Sequence, residues 1–438
     1  MERAMRQPSR FLFVLWAGGG SVPPQLVLAR RLTERGHHVR VLAPRVLHAS
    51  IEAAGCVFLP LHAVPEHDSS SPLDDPIKDW EARTPWDAAA RTRDRIIFGT
   101  ARAYAGDVSA AIADERPDVV VTDFLLLGVY VAAERAGIPL VALVHTIFPL
   151  PARGMPPYGM GFQPATGVVG RGRDAIFAHI FRRFYEAGRA TLNEVREAFG
   201  LPSVTSVFDQ FTRAARLLVL TSRAFDFPAV ALPANVRYVG PQLADPGWLE
   251  PWEPPASGTG HLPLVLVSFS TTFQQQGDLV RRIITALGGL PVQGLVTLGP
   301  ALQGQDFALP ANVRVEPYVP HVLVCPHADL VVTHGGLGTV ITALSWGVPL
   351  VCIPMGRDQG DNAARSVWRG AGLRCSSKAS VADLRRAIRR VLEEPQFHAA
   401  AHRVAEGIAS QEDPGAAMEE LETLATPPTG IPGTRVTS

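Results

Sequence analysis

Two series of short apolar runs, each run followed by a stretch of helical period, divide this chain, and nothing else in it restricts the fold as much. The first series opens at residues 11–15, turns at Ala17-Gly18-Gly19-Gly20, and enters a helix over 24–34 that Gly36 closes. Strands follow at 39–43, 57–59, 119–122, 140–144, 217–220 and 236–239, with helices predicted at 46–54, 88–115, 128–136 and 174–199. The second series places strands at 264–268, 294–298, 313–315, 330–333 and 350–353, and helices at 279–287, 338–346, 361–369 and 381–392. Strands that alternate with helices pair in parallel, and the helices cover both faces of the sheet. The fold class is therefore α/β, with two doubly wound Rossmann-like domains facing across a cleft.

Residues 240–263, rich in proline and carrying Ala256-Ser257-Gly258-Thr259-Gly260, separate the two series as a linker. A length of 438 residues also suits two cores better than one. The expected division is a first domain over 1–240, a linker over 241–262 and a second domain over 263–410. A helix over 411–425 then returns to the first domain, and a disordered tail covers 426–438. In doubly wound sheets ligands sit beyond the carboxyl ends of the strands, so the cleft is the place to look for chemistry.

Composition excludes several classes. Hydrophobic residues make up 47% and charged residues 19%, which is the balance of a globular chain. The 41 basic and 41 acidic residues cancel, leaving no bulk charge to recruit nucleic acid or an anionic membrane. No apolar run approaches the ~18 residues of a spanning helix, and the short run 10–16 before a glycine turn reads as a buried strand. Cys56, Cys325, Cys352 and Cys375 form no C-x-x-C pair and suit free thiols in a reducing cytosol. The expectation is a cytoplasmic protein, possible as a homodimer. No His, Cys or carboxylate group has metal-ligand spacing, so no metal or other cofactor is predicted.

The most specific stretch runs Asp329-Leu330-Val331-Val332-Thr333-His334-Gly335-Gly336-Leu337-Gly338-Thr339. A buried strand ends at Thr333 and a helix starts near Gly338. The glycines let a ligand approach the backbone, and free amides at a helix start form an anion site. His334 and the Thr339 hydroxyl add donors, and together these suit a diphosphate. Gly347-Val348-Pro349, Asp358-Gln359 and Asn362 follow in order.

On these residues the chain resembles the family 1 glycosyltransferases, which have the B fold, and in particular the bacterial enzymes that decorate macrolides, enediynes and other natural products. The resemblance runs over the whole chain. It implies that His334 and the turn of Gly336, Leu337, Gly338 and Thr339 hold the diphosphate of a UDP- or TDP-sugar, and that Asp358 and Gln359 bind sugar hydroxyls. It likens Tyr318-Val319-Pro320-His321 to the turn whose backbone reads the base, with His321 where a Gln is usual. It likens Ser268-Phe269-Ser270-Thr271-Thr272 to a phosphate turn, so that Val319, His321, Ser270 and Thr271 join the donor site. A metal is not implied, because helix amides and His can neutralise the leaving group.

The other half departs from the family. There the turn after the first strand usually reads Gly-His-x-x-Pro, and its His takes the acceptor's proton while an Asp orients it. Here the turn reads Gly19-Gly20-Ser21-Val22-Pro23-Pro24, which puts Ser21 where the His belongs, although the Asp is present as Asp123. A serine is no base near neutral pH. Three readings stay open: Asp123, directly or through a water, or His145 does the work; the acceptor is nucleophilic enough to need only orientation; or the protein binds a nucleotide sugar without turnover. The acceptor pocket is expected in the irregular stretches 62–86 and 149–172. Trp80, Phe124, Phe148, Met155 and Tyr158 in or beside them would suit a flat, apolar small molecule.

Overall fold

The computed structural model describes residues 8–67, 71, 73–254, 262–269, 274, 276–299, 302, 304–411, 413 and 415–426. The first sheet contains β1 (Arg10–Val14), β2 (His38–Ala43), β3 (Val57–Pro60), β4 (Val119–Asp123), β5 (Leu140–Val144), β6 (Arg216–Val219) and β7 (Val236–Tyr238). The second contains β8 (Leu264–Ser268), β9 (Gln293–Thr297), β10 (Val313–Glu316), β11 (Leu330–Thr333), β12 (Leu350–Cys352) and β13 (Gly372–Arg374). Between the strands of the first sheet run α1 (Val22–Glu34), α2 (His48–Ala53), α3 (Pro85–Thr92), α4 (Ala101–Asp114), α5 (Leu127–Ala136), α6 (Gly167–Glu186), α7 (Arg189–Ala198) and α8 (Phe208–Thr212). The second half adds α9 (Gly277–Leu287), α10 (His321–Val324), α11 (Leu337–Ser345), α12 (Gln359–Trp368), α13 (Val381–Glu393), α14 (Pro395–Gln411) and α15 (Ala416–Ala425).

Every strand pairing is parallel. The strand orders are β3-β2-β1-β4-β5-β6-β7 and β10-β9-β8-β11-β12-β13. The sequence explains this directly. Strands such as Val119–Asp123 and Leu140–Val144 are buried on both faces, which requires near-continuous apolar runs. Alternate residues serve opposite faces: Leu12 and Val14 pack toward α4 and α5, and Phe11 and Phe13 toward α1 and α15. Each sheet reverses its strand order once, between β1 and β4 and between β8 and β11, and both reversals carry the residues of interest.

Two predicted helices are each broken, at points that touch. Residues 88–115 divide into α3, a π-helical turn over Arg93–Phe98, and α4, and the turn requires glycine at 99, where a Cβ would meet the Asp94 carbonyl at 2.3 Å. Residues 174–199 divide at Gly188, where a Cβ would stand 2.2 Å from the Phe98 ring. Helix α6 also begins at Gly167, inside the stretch read as loop. Strand β13 is only three residues long and offers no pattern of its own; Gly372 is required there, since a Cβ would come within 2.4 Å of the Leu350 carbonyl.

The carboxyl-terminal segment ties the halves together. Ala417, Met418 and Leu421 of α15 are buried in the same core as Phe11 and Leu28, and Glu422 accepts from Arg35 at 2.8 Å. Val404 and Ile408 of α14 share a core with Ile147, Ala224 and Phe225 from the first half. The expected tail from residue 427 onward, and part of the linker (255–261), lie outside the described residues. No helix among the described residues is long and apolar enough to cross a membrane.

Candidate active site

At the end of β11 the chain passes through His334 into Gly335, whose φ of +92° favours glycine. The Thr333 hydroxyl accepts from the Gly335 amide at 3.3 Å. A Cβ on Gly335 would stand 3.0 Å from the Gln359 carbonyl, and one on Gly336 would stand 2.5 Å from His334 Nε2. Both glycines are therefore fixed by close approach. Gly336 caps α11 without a side-chain acceptor, and a Cβ on Gly338 would meet nothing within 4 Å. The start of α11 thus has room at Gly338 and no side-chain cap, and helix-start amides with the dipole behind them suit an anion.

His334 and His321 flank this turn. Burial pushes His334 down to about 4, with Arg357 and His321 adding to the shift and a Ser268 backbone contact opposing it. Burial alone pushes His321 down to about 4. Both imidazoles are neutral at pH 7 and act as hydrogen-bond groups, not as cations. His321 Nδ1 lies 3.3 Å from the Thr339 hydroxyl, and Val319 is buried beneath the same turn.

The loop before α12 packs onto the glycine turn. Asn362 Nδ2 donates to the Gly335 carbonyl at 2.9 Å and to Asp358 Oδ2 at 3.0 Å. Gln359 is buried; its Oε1 accepts from the Met355 and Gly356 amides at 2.7 and 3.1 Å, and its Nε2 donates to Gln274 at 3.0 Å. Its carbonyl thus organises the loop, and Asp358 is the half-exposed member of the pair. Arg357 reaches the first half, where its guanidinium lies 2.7 Å from Asp79 and 3.7 Å from Asp75. Ser270 and Thr271, the remaining donor candidates, lie outside the described residues.

Across the cleft, Asp123 ends β4 with no exposure to solvent. Its Oδ2 accepts from Trp16 Nε1 at 3.0 Å and Gln25 Nε2 at 3.3 Å, and Oδ1 accepts from the Leu125 amide at 3.0 Å. His145, just beyond β5, places Nδ1 3.0 Å from the same Oδ2, an ion-pair distance without the alignment of a straight hydrogen bond. Burial is the largest influence on His145 and works downward, but the charge and contact of Asp123, helped by Asp358, carry it above its ordinary 6.5. Asp358 therefore acts on His145 from the opposite domain.

The Ser21 hydroxyl is not engaged with Asp123. It is buried and, like Gln25 Oε1, meets no hydrogen-bond partner among the described residues. The Trp16 indole lies over Gly18, where a Cβ would touch the indole at 2.4 Å and the Ser21 hydroxyl at 2.7 Å. Trp16 thus supplies to Asp123 a ring N–H from the space beside Ser21.

The aromatic candidates separate into two groups. Phe124 lies against His145 with ring centroids 5.4 Å apart, and Trp80 sits beside Asp79, the partner of Arg357. Tyr158 packs on the second domain's core, and its phenol, in hydrogen-bonding contact with Thr146, is held well above its usual value by burial and by Asp358 and Asp361. Phe148 is buried, and its amide donates to Asp226 at 3.1 Å; Met155 packs on the core of the first domain. These two support the pocket from behind. Sequence reasoning missed Trp16, Gln25, Asp226, Arg357, Asp361 and Arg365. The last two sit three and seven residues after Asp358, so helical spacing places them on its face of α12.

Two parallel α/β domains whose strand ends meet across a cleft, one presenting an anion turn and the other a buried His–Asp pair, define the architecture of a B-fold glycosyltransferase. Solved structures agree. The glycosyltransferase of kitacinnamycin superimposes with a TM-score of 0.73 over 95% of this chain and 99% of its own, at 23% identity. CalG4, the calicheamicin glycosyltransferase, gives 0.73 over 96% and 98%, also at 23% identity. Residues 281–424 match the family described as erythromycin biosynthesis protein CIII-like, C-terminal domain, and residues 25–205 match Glycosyltransferase Family 4. The chain is 31% identical to 4'-demethylrebeccamycin synthase of Lentzea aerocolonigenes over 95% of this chain and 99% of that protein. It is 28% identical to the oleandomycin glycosyltransferase of Streptomyces antibioticus over 86% and 82%. The chain belongs to the family 1, B-fold glycosyltransferases of the bacterial natural-product type, and is a nucleotide-sugar-dependent glycosyltransferase.

Proposed function

We propose that this enzyme transfers a sugar, with inversion, from a UDP- or TDP-sugar to a small, largely apolar natural-product acceptor, and that His145 serves as the general base in place of the histidine replaced by Ser21. The observation that carries the reading is the pairing of Asp123 with His145 across 3.0 Å while the Ser21 hydroxyl stays apart. Asp123 itself is a poor base, because its Oδ2 already faces Trp16, Gln25 and His145. With Nδ1 turned to the carboxylate, Nε2 is the nitrogen left to accept a proton.

The acceptor's proton passes to His145 Nε2 as the acceptor atom bonds to the anomeric carbon. The bond from that carbon to the diphosphate oxygen breaks on the opposite side, so one displacement inverts the centre. The charge released develops against the α11 amides, His334 and Thr339, where prealigned dipoles act without reorganisation. Asp123 stabilises the imidazolium that forms. These groups neutralise the leaving diphosphate with no metal in the scheme. The acceptor class follows from Phe124, Trp80 and Tyr158 around the cleft and from the natural products named for the relatives.

The test is His145→Gln. Transfer to an alcohol or phenol acceptor is expected to fall by ~10²–10⁴, with nucleoside diphosphate affinity intact. Turnover at the parent rate would remove His145 from the reaction, and nucleotide binding with no transfer or hydrolysis by the parent protein would leave a binding protein.

A further inference from the structure

Asp361 is only 2% exposed, yet its carboxylate is not turned toward the donor turn. One oxygen accepts from the Gly159 amide at 2.5 Å and the other from the Gly161 amide at 2.7 Å. Both glycines belong to the first domain, and their φ values of +84° and +63° aim two nearby N–H groups at one carboxylate. The fit is close: a Cβ on Gly161 would stand 3.2 Å from the Gly360 backbone and 3.2 Å from Arg374 Nη1.

The captured segment carries Tyr158, which contacts Thr146, the neighbour of His145. One helical turn beyond Asp361, Arg365 donates to Asp226 Oδ1 at 2.7 Å, and Asp226 Oδ2 accepts from the Phe148 amide. Helix α12 therefore begins at Asp358 and Gln359, which face the donor turn, and then grips two parts of the acceptor side. Bonds from backbone amides to a carboxylate are among the stronger ones available. Burial is the main influence holding the Asp361 carboxyl up to about 6, with Asp358 adding to it against Arg365 and the two amides. A charge kept in such a place costs stability that a neutral residue would not, which suits a contact meant to respond to its surroundings.

We infer that Asp361 is a positioning residue that couples donor binding at the start of α12 to the placement of the acceptor segment 158–162. The inference rests on the reading of Asp358–Gln359 as the sugar-facing end of that helix. A donor that orders the start of α12 holds Asp361 in place. The two amides follow, and Tyr158 is set beside Thr146 to close the acceptor side of the cleft.

The experiment uses the full chain with Asp361→Ala and Asp361→Asn. It measures UDP and TDP affinity by calorimetry, acceptor KM, the ratio of donor hydrolysis to transfer, and amide exchange over 158–162 with and without a UDP- or TDP-sugar. Acceptor KM is expected to rise about tenfold and hydrolysis to gain on transfer, with nucleotide affinity unchanged. The sugar donor, which unlike UDP or TDP alone reaches the start of α12, should protect the Gly159 and Gly161 amides in the parent and fail to do so in Asp361→Ala. Asp361→Glu, which restores the acceptor oxygens on a longer arm, should recover part of the loss. Parallel loss of nucleotide affinity and acceptor KM, or no change in either, overturns the coupling and leaves Asp361 as packing. Binding of the sugar donor that leaves both amides unprotected in the parent overturns it alone, whereas failure of the parent to bind any nucleotide overturns the proposed function first.

Discussion

On the second domain's side of the cleft, most of the polar groups come from one continuous segment, residues 334–362, joined by His321 and Gln274. Asn362 fastens the glycine turn, Gln359 fastens its own loop, and α11 starts without a side-chain cap. On the first domain's side, the polar groups come from the ends of three strands: Trp16 after β1, Asp123 at the end of β4 and His145 after β5. They converge on one carboxylate oxygen. The first arrangement is held mainly by bonds between neighbours in sequence. The second depends on strand register, and in the proposed function His145 takes the part of a histidine that Ser21 replaces.

Asp123→Asn should sharpen that contrast most. It removes the charge that orients His145, so kcat is expected to fall by ~10²–10⁴, while calorimetry should find nucleotide affinity unmoved. Equal loss on both sides would mean that the two faces are not independent. Next in size is Arg365→Leu, which strands Asp226 without its buried partner; breaking such a pair costs about 3–5 kcal/mol and should show as a lower midpoint in denaturant. Gly336→Ala is the matching change on the donor face. Its Cβ would displace the His334 ring, and the loss of one such contact, about 1–3 kcal/mol, should appear in nucleotide Kd and leave the acid limb of the pH profile in place.

That limb carries a subtler effect. His145 is raised above 6.5 by Asp123 and Asp358 against the pull of burial, so the rise of kcat/KM with pH should be centred above 6.5. In Asp123→Asn burial is less opposed, and the limb should move to lower pH. The same sign applies to the fold: the stability from the protonated pair is complete below the unfolded value and is lost as pH rises through the folded one. The smallest expected effect is that of a chelator, which should leave the transfer rate unchanged; loss of activity restored by a divalent cation would add a metal to the donor face.

The donor face was legible because its residues are neighbours in sequence. His334, the two glycines, Asp358 and Asn362 fall within two successive strand–turn–helix units, so local spacing alone brings them into view. Much of the fold was legible for a similar reason, since strands buried on both faces must be written as apolar runs. The breaks at Gly99 and Gly188 were not, because each depends on what lies opposite: the Asp94 carbonyl in one case and the Phe98 ring in the other.

The sequence alone thus determined two parallel sheets, a cleft at their carboxyl ends and a glycine turn after residue 334. Those follow from local spacing and from burial, which act along the chain. Only tertiary structure decided that His145 and not Ser21 meets Asp123, that Trp16 takes a share of that carboxylate, and that Asp361 grips a loop 200 positions away. Such contacts depend on the order of strands within a sheet and on how two sheets face each other, and no single stretch of residues encodes either.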